Sequence, residues 1–188
     1  MSQHLPQGLQ ALITSLERLA IVENEKVIEI MAKLDIKESE MVQYQTFDHS
    51  PGESYGRKLL FKNNRFEIYL MSWNPGDITT IHNHGATQWG CVLFFGTATH
   101  RLYTFNKNKL ELKSTDTFYE RQIAPVCGDL IHLMGNYRHK PFCTLHLYGC
   151  DDQRRKQMIK ERVFLPVACV KWFGQLQIIH SSMIADFA

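Results

Sequence analysis

Two histidines stand one residue apart in TTIHNHGATQWGCVLFFG, residues 79–96: His82 and His84. Imidazole is the commonest protein metal ligand, and side chains two apart on a strand share a face, so this pair can supply part of a metal shell. Histidines at that spacing also sit on polar loops or satisfy core hydrogen bonds, and one pair does not choose between these. Further on, CTLHLYG repeats the two-residue step in Thr144, His146 and Tyr148, which puts a hydroxyl, an imidazole and a phenol in line on one strand face. In YGRKLLF, Arg57 offers a planar fork that reads a carboxylate through two parallel hydrogen bonds. An arginine there is as readily a surface residue, and a tyrosine after a strand histidine as readily a core residue with its hydroxyl tethered.

The elements that would position these groups change character along the chain. In the first forty residues, Leu9, Leu12, Ile13, Leu16 and Leu19 recur at three- and four-residue spacing behind Pro6, and Val27, Ile28, Met31 and Leu34 repeat the pattern. These predict two helices packed as a cover on the rest of the domain. From Tyr55 the segments RKLLFKN, RFEIYLMSW, GCVLFFG, HRLYTF, LELKS, DLIHLM and CTLHLYG are short and rich in β-branched and aromatic residues. NNR, NPGD and NKNK punctuate them as turns. A run of about eight short strands suggests a barrel or sandwich. Residues 151–162, DDQRRKQMIKER, read as a solvated charged connector, and VFLPVACVKWFG as a late strand pair against the barrel.

A chain of 188 residues is long enough to bury a substantial core as one domain without disulfide staples. Lys+Arg 21 against Asp+Glu 19 leaves no basic excess to suggest nucleic-acid binding, and no apolar run approaches the length of a membrane span. The N-terminus has no basic leader followed by an apolar stretch. Five cysteines without a C-x-x-C fit reduced thiols in a cytoplasm better than a disulfide framework.

Gly76, His82, His84 and Gly96 stand at G-x5-H-x-H-x11-G, and PVCGDLIHLMGN brings a glycine turn, His132 and Asn136. This resembles the paired motifs of the cupin superfamily, with Trp89 where cupins often have a glutamate ligand. The resemblance implies a mainly β fold, a double-stranded β-helix or jelly-roll barrel with the N-terminal helices packed on it. On that reading residues 1–188 form a single cupin domain, with a helical part at 1–40, a metal-binding barrel at 55–150 and an extension at 151–188. His132 becomes the third ligand, giving three histidines and no carboxylate. A divalent metal so held keeps its full charge and favours an anionic soft donor such as a thiolate.

Y-G-R at 55–57, H-N-H at 82–84, His132 and T-L-H-L-Y at 144–148 are similar to the cysteine dioxygenase family of thiol dioxygenases, over about residues 40 to 150. The resemblance implies Fe(2+) held by His82, His84 and His132, with L-cysteine and O2 converted to cysteine sulfinic acid. It implies Arg57 on the substrate carboxylate with Tyr55 beside it, Tyr148 reaching substrate and dioxygen, His146 orienting Tyr148, and Thr144 in the same relay. The expected partners are a small thiol and O2. Other readings are a 3-mercaptopropionate or other small-thiol dioxygenase, and a metal-binding cupin that is not an oxygenase.

Some family members place a cysteine five residues past the second H-x-H histidine and join it to the tyrosine by a thioether. Here Trp89 or, with one extra loop residue, Gly90 takes that position, and Cys91 follows two residues after Trp89. Either alignment predicts an unmodified Tyr148.

Overall fold

The computed structural model describes residues 5–50, 52–84, 87–106 and 109–149, and the backbone of 167–172 and 175–180. Helix α1 spans Gln7–Glu17 and buries Leu9, Leu12, Ile13 and Leu16, the apolar positions one turn apart. Pro6 precedes the first turn, where its carbonyl accepts from Gln10 N–H and its missing N–H costs nothing. Helix α2, Asn24–Lys33, buries Val27 and Met31, and a 3-10 turn over Glu38–Tyr44 buries Met41 and Tyr44. Asn24 pins α2 to the barrel: its Oδ1 accepts Gly90 N–H at 2.8 Å and its Nδ2 donates to the Val126 carbonyl at 3.3 Å.

Eight strands form the barrel: β1 Gly56–Lys62, β2 Phe66–Trp73, β3 Trp89–Phe94, β4 Ala98–Asn106, β5 Lys109–Phe118, β6 Ile123–Val126, β7 Ile131–Gly135 and β8 Phe142–Gly149. They make an antiparallel sheet in the order β1-β2-β8-β3-β6 and a second in the order β5-β4-β7. These two antiparallel sheets make the mainly β fold expected from the sequence. The strand β6 carries Pro125, which hides it from a reading by β propensity. Proline is accommodated because β6 lies at the sheet edge, paired only with β3. Asn63 in NNR accepts Arg65 and Phe66 N–H groups through Oδ1 and turns β1 into β2. In NPGD, Gly76 takes φ +88, a left-handed conformation that favours glycine.

Alternation along the five-stranded sheet separates two cores. Phe66, Ile68 and Leu70 of β2, Trp89, Cys91 and Leu93 of β3, and Cys143, Leu145 and Leu147 of β8 pack with the helices. Met71, Trp73, Val92, Phe94 and Phe142 point the other way, into the barrel with Met134 of β7. Burial of each large apolar side chain is worth roughly 1.5–3 kcal/mol, so both faces of β8 are committed. Thr144, His146 and Tyr148 are on the barrel face.

The charged stretch 151–162 lies outside the described residues. Of the late strand pair, β9 Val167–Trp172 pairs antiparallel with β10 Gln175–His180, so the second strand comes after VFLPVACVKWFG rather than falling within it. Among the described residues no helix is long and apolar enough to cross a membrane.

Candidate metal centre

His82 and His84 sit in the connection between β2 and β3, not on a strand as their spacing suggests. The connection touches β7 at isolated points, the bridges Ile78 to Gly135 and His82 to His132. His82 and His132 exchange both backbone hydrogen bonds at 2.9 Å, after which the chain leaves the ladder and His84 N–H turns to the Gly128 carbonyl at 3.3 Å. The two imidazoles converge all the same, because the bridge places His82 directly against the strand that carries His132.

One ligand atom from each of His82, His84 and His132 falls within 4.8 Å of the others. His82 donates Nδ1–H to the Thr80 carbonyl at 2.9 Å, which leaves its Nε2 lone pair free. The Nε2 atoms of His84 and His132 are 2.8 Å apart and share one proton. Burial, followed by repulsion from neighbouring imidazoles, pushes His84 down to about 3 and His132 lower still; burial also lowers His82. All three are therefore neutral at pH 7, with lone pairs available to a cation. A donor set of three imidazole nitrogens suits a first-row divalent metal, and among the described residues no carboxylate belongs to the cluster.

Beside the histidines runs a buried relay. Trp73 Nε1 donates to Thr144 Oγ1 at 2.8 Å, Thr144 Oγ1 meets His146 Nε2 at 2.8 Å, and His146 Nδ1 meets Tyr148 Oη at 2.7 Å. Indole N–H can only donate, so Thr144 accepts from Trp73. Its own buried proton is then satisfied by donating to His146 Nε2, which places the His146 proton on Nδ1, toward Tyr148 Oη. The Tyr148 proton stays free to point away from the relay. Burial raises the Tyr148 phenol and holds His146 far below its ordinary value, so the relay is uncharged at neutral pH. The Tyr148 ring lies 5.3 Å from that of His84.

Arg57 on β1 and Tyr55 before it line a cavity of about 620 Å³ together with His82, Thr79 and Thr80. The Arg57 guanidinium lies 3.8 Å over the Tyr69 ring, and Tyr55 stacks on Trp73 with ring centres 4.6 Å apart. Of the three histidines His82 lines this cavity, and the relay approaches Arg57 through Tyr148, whose ring lies 6.4 Å from that of Tyr69. Asn136, at the end of the second motif, is structural: its Nδ2 donates to the Trp73 and Lys140 carbonyls.

Three neighbours escaped the sequence reading. Trp73 heads the relay, and Tyr69 backs Arg57. His100 Nε2 meets His132 Nδ1 in a very short contact. His100 lies in HRLYTF, a segment legible as a strand, but its proximity to His132 depends on how β4 pairs with β7.

The profile of the family described as Cysteine dioxygenase type I matches residues 1–154. Cysteine dioxygenase type 1 of Rattus norvegicus is 27% identical over 150 residues, 77% of this chain and 75% of that protein. The Homo sapiens protein of the same name is 25% identical over the same shares, and that of Danio rerio 24% over 151 residues, again 77% and 75%. With that match over most of its length, the chain is a dioxygenase belonging to the cysteine dioxygenase type I family.

Proposed function

We propose that the protein is an iron-dependent thiol dioxygenase that converts L-cysteine and O2 into cysteine sulfinic acid. One observation carries this reading: three neutral imidazoles without a carboxylate meet beside a cavity lined by Arg57. His82, His84 and His132 would hold Fe(II). Bound there, Fe(II) supplies positions at which a thiolate and dioxygen can meet, and its uncompensated charge lowers the thiol pKa.

The chain's own residues do the rest. Arg57, kept flat by Tyr69, receives the substrate carboxylate with both prongs of its guanidinium, and Tyr55 flanks it. His146 holds the Tyr148 oxygen through Nδ1–H, so the phenol proton is directed to the reacting atoms and stabilises negative charge developing on oxygen. Both oxygen atoms finish on sulfur. A metal-binding protein without oxygenase activity has no use for a buried donor prepared in this way. The near-neutral charge balance supports a small-molecule partner over a nucleic acid, and the free thiols of Cys91, Cys127 and Cys143 support a cytoplasmic setting.

The test is anaerobic loading with Fe(II), then oxygen uptake with L-cysteine, 3-mercaptopropionate and cysteamine. Fastest uptake is expected with L-cysteine, with sulfinate as product, and His132→Ala should lose iron and activity together. Faster uptake with 3-mercaptopropionate would reassign the substrate. Iron bound stoichiometrically without uptake for any thiol would remove the oxygenase reading.

A further inference from the structure

We infer that His100 is a positioning residue for the metal ligand His132: its Nε2 accepts the His132 Nδ1–H and so fixes which nitrogen of His132 faces the metal. The inference rests on the proposed metal centre and extends it to a residue outside the three ligands. An imidazole ligand presents one nitrogen to the metal, and its ring plane and tautomer are set by the partner of the other nitrogen. For His82 that partner is the Thr80 carbonyl, which can only accept. For His132 it is His100 Nε2.

The placement of His100 is built into the sheet. Register pairs Leu102 with His132 and His100 with Met134 across β4 and β7, so His100 is the diagonal neighbour of His132 on the same face. The two rings meet edge to face, 4.7 Å between centres at 66°, which aims a nitrogen at a nitrogen. On its other side His100 stands edge-on to Phe118, 5.5 Å away, and Phe118 is itself stacked on Phe94. The ring is therefore packed between Phe118 and His132.

A carbonyl accepts in any state, whereas an imidazole accepts at Nε2 only when its proton is on Nδ1. Asp116 is the cross-strand partner of His100 on β5. Ser114 Oγ donates to Asp116 Oδ2 at 2.9 Å and helps to hold that carboxylate. With its own proton on Nδ1, His100 takes the His132 Nδ1–H and would leave the His132 Nε2 lone pair for a metal.

Two variants separate this role from packing. In His100→Gln the side-chain carbonyl can accept near the position of Nε2, whereas His100→Leu fills the space without an acceptor. Each metal-free protein would be titrated anaerobically with Fe(II) alone, and folding followed by circular dichroism. His100→Leu should bind Fe(II) about tenfold more weakly or worse, the size expected for loss of such a partner, while His100→Gln stays within a few-fold of the wild type. Unchanged affinity in His100→Leu, or equal losses in both variants, would overturn the inference and leave the metal centre standing. A wild-type protein that takes up no Fe(II) would overturn both. Histidine nitrogen NMR of the metal-free wild type gives a readout that needs no variant. His132 and His100 should each carry the proton on Nδ1, and a proton on His132 Nε2 with Nδ1 bare would sink the proposal.

Discussion

Gly90 pairs with Tyr148 across the β3–β8 ladder, and a Cβ placed on residue 90 would stand 3.4 Å from the tyrosine Cδ1. Residue 90 is thus the β3 position that looks at the phenol, and here it carries no side chain. Cys91 faces the helices, with its sulfur 3.9 Å from the Asn24 carbonyl, and burial pushes its thiol up to about 12. A thioether between Cys91 and Tyr148 would require the strand to turn over. The expected enzyme is homogeneous and active from its first turnover. Mass spectrometry after aerobic turnover should find the two peptides separate; a joined species lighter than their sum by two hydrogens would contradict this.

Arg57→Ala should impair L-cysteine far more than cysteamine, which has no carboxylate. The Arg57 side chain is exposed to the cavity rather than sealed in the core, so the charge-assisted range of ~1.5–3 kcal/mol applies instead of the larger penalty of a fully buried pair. That corresponds to roughly 10- to 100-fold in kcat/KM. Equal losses for the two thiols would take the carboxylate away from Arg57.

Thr144→Val removes the one hydroxyl that joins Trp73 to His146 and leaves an indole N–H unpartnered in a dry core. A cost of ~1–3 kcal/mol in stability is expected, together with a fall in kcat that exceeds any change in KM. Thr144→Ser keeps the hydroxyl and should recover most of both. Denaturant unfolding and steady-state kinetics on the two variants check this, and a valine variant with unchanged kcat would detach the relay from the chemistry.

Acid should destabilise the metal-free protein. Burial lowers His84 to about 3 and His100 to about 4, both below the ordinary histidine value of 6.5. Between those values and 6.5 the unfolded chain binds protons that the folded one does not, so unfolding free energy rises with pH in that window and is fully present above it. The melting temperature should therefore fall as pH drops from 7 toward 4. A melting temperature independent of pH over that range would show that these imidazoles are not buried in neutral form.

The helices were legible because a three- and four-residue apolar rhythm is a local property, and Leu9 through Leu16 carry it without outside help. The strand β6 was not, since Pro125 argues against a strand until one knows that it borders the sheet. The relay could be read because Thr144, His146 and Tyr148 belong to a single strand whose alternation alone aligns them. His82 and His84 lie off the strand that their spacing suggests, because the connection meets β7 at isolated bridges such as His82 to His132 and forms no continuous ladder. His100 and Trp73 could not be placed, because each acts across a ladder whose register is set by pairing far along the chain. Alternation within one strand aligns its own side chains, whereas neighbours such as His100 and Trp73 wait on the register between strands.

The two faces of β8 have a genetic corollary. Leu145 and Leu147 hold the barrel to its helices while Thr144, His146 and Tyr148 turn toward the histidines, and the two sets interleave residue by residue. Losing or gaining a single codon within Phe142–Gly149 would exchange the sets past the change, sending polar side chains into the oily layer and leucines toward the three histidines. Point substitutions in this strand can be graded in their harm, but a one-codon indel there should abolish folding and catalysis at a stroke. Length variation in descendants of this gene should accordingly collect in the loops that bracket β8, and leave its eight codons in step.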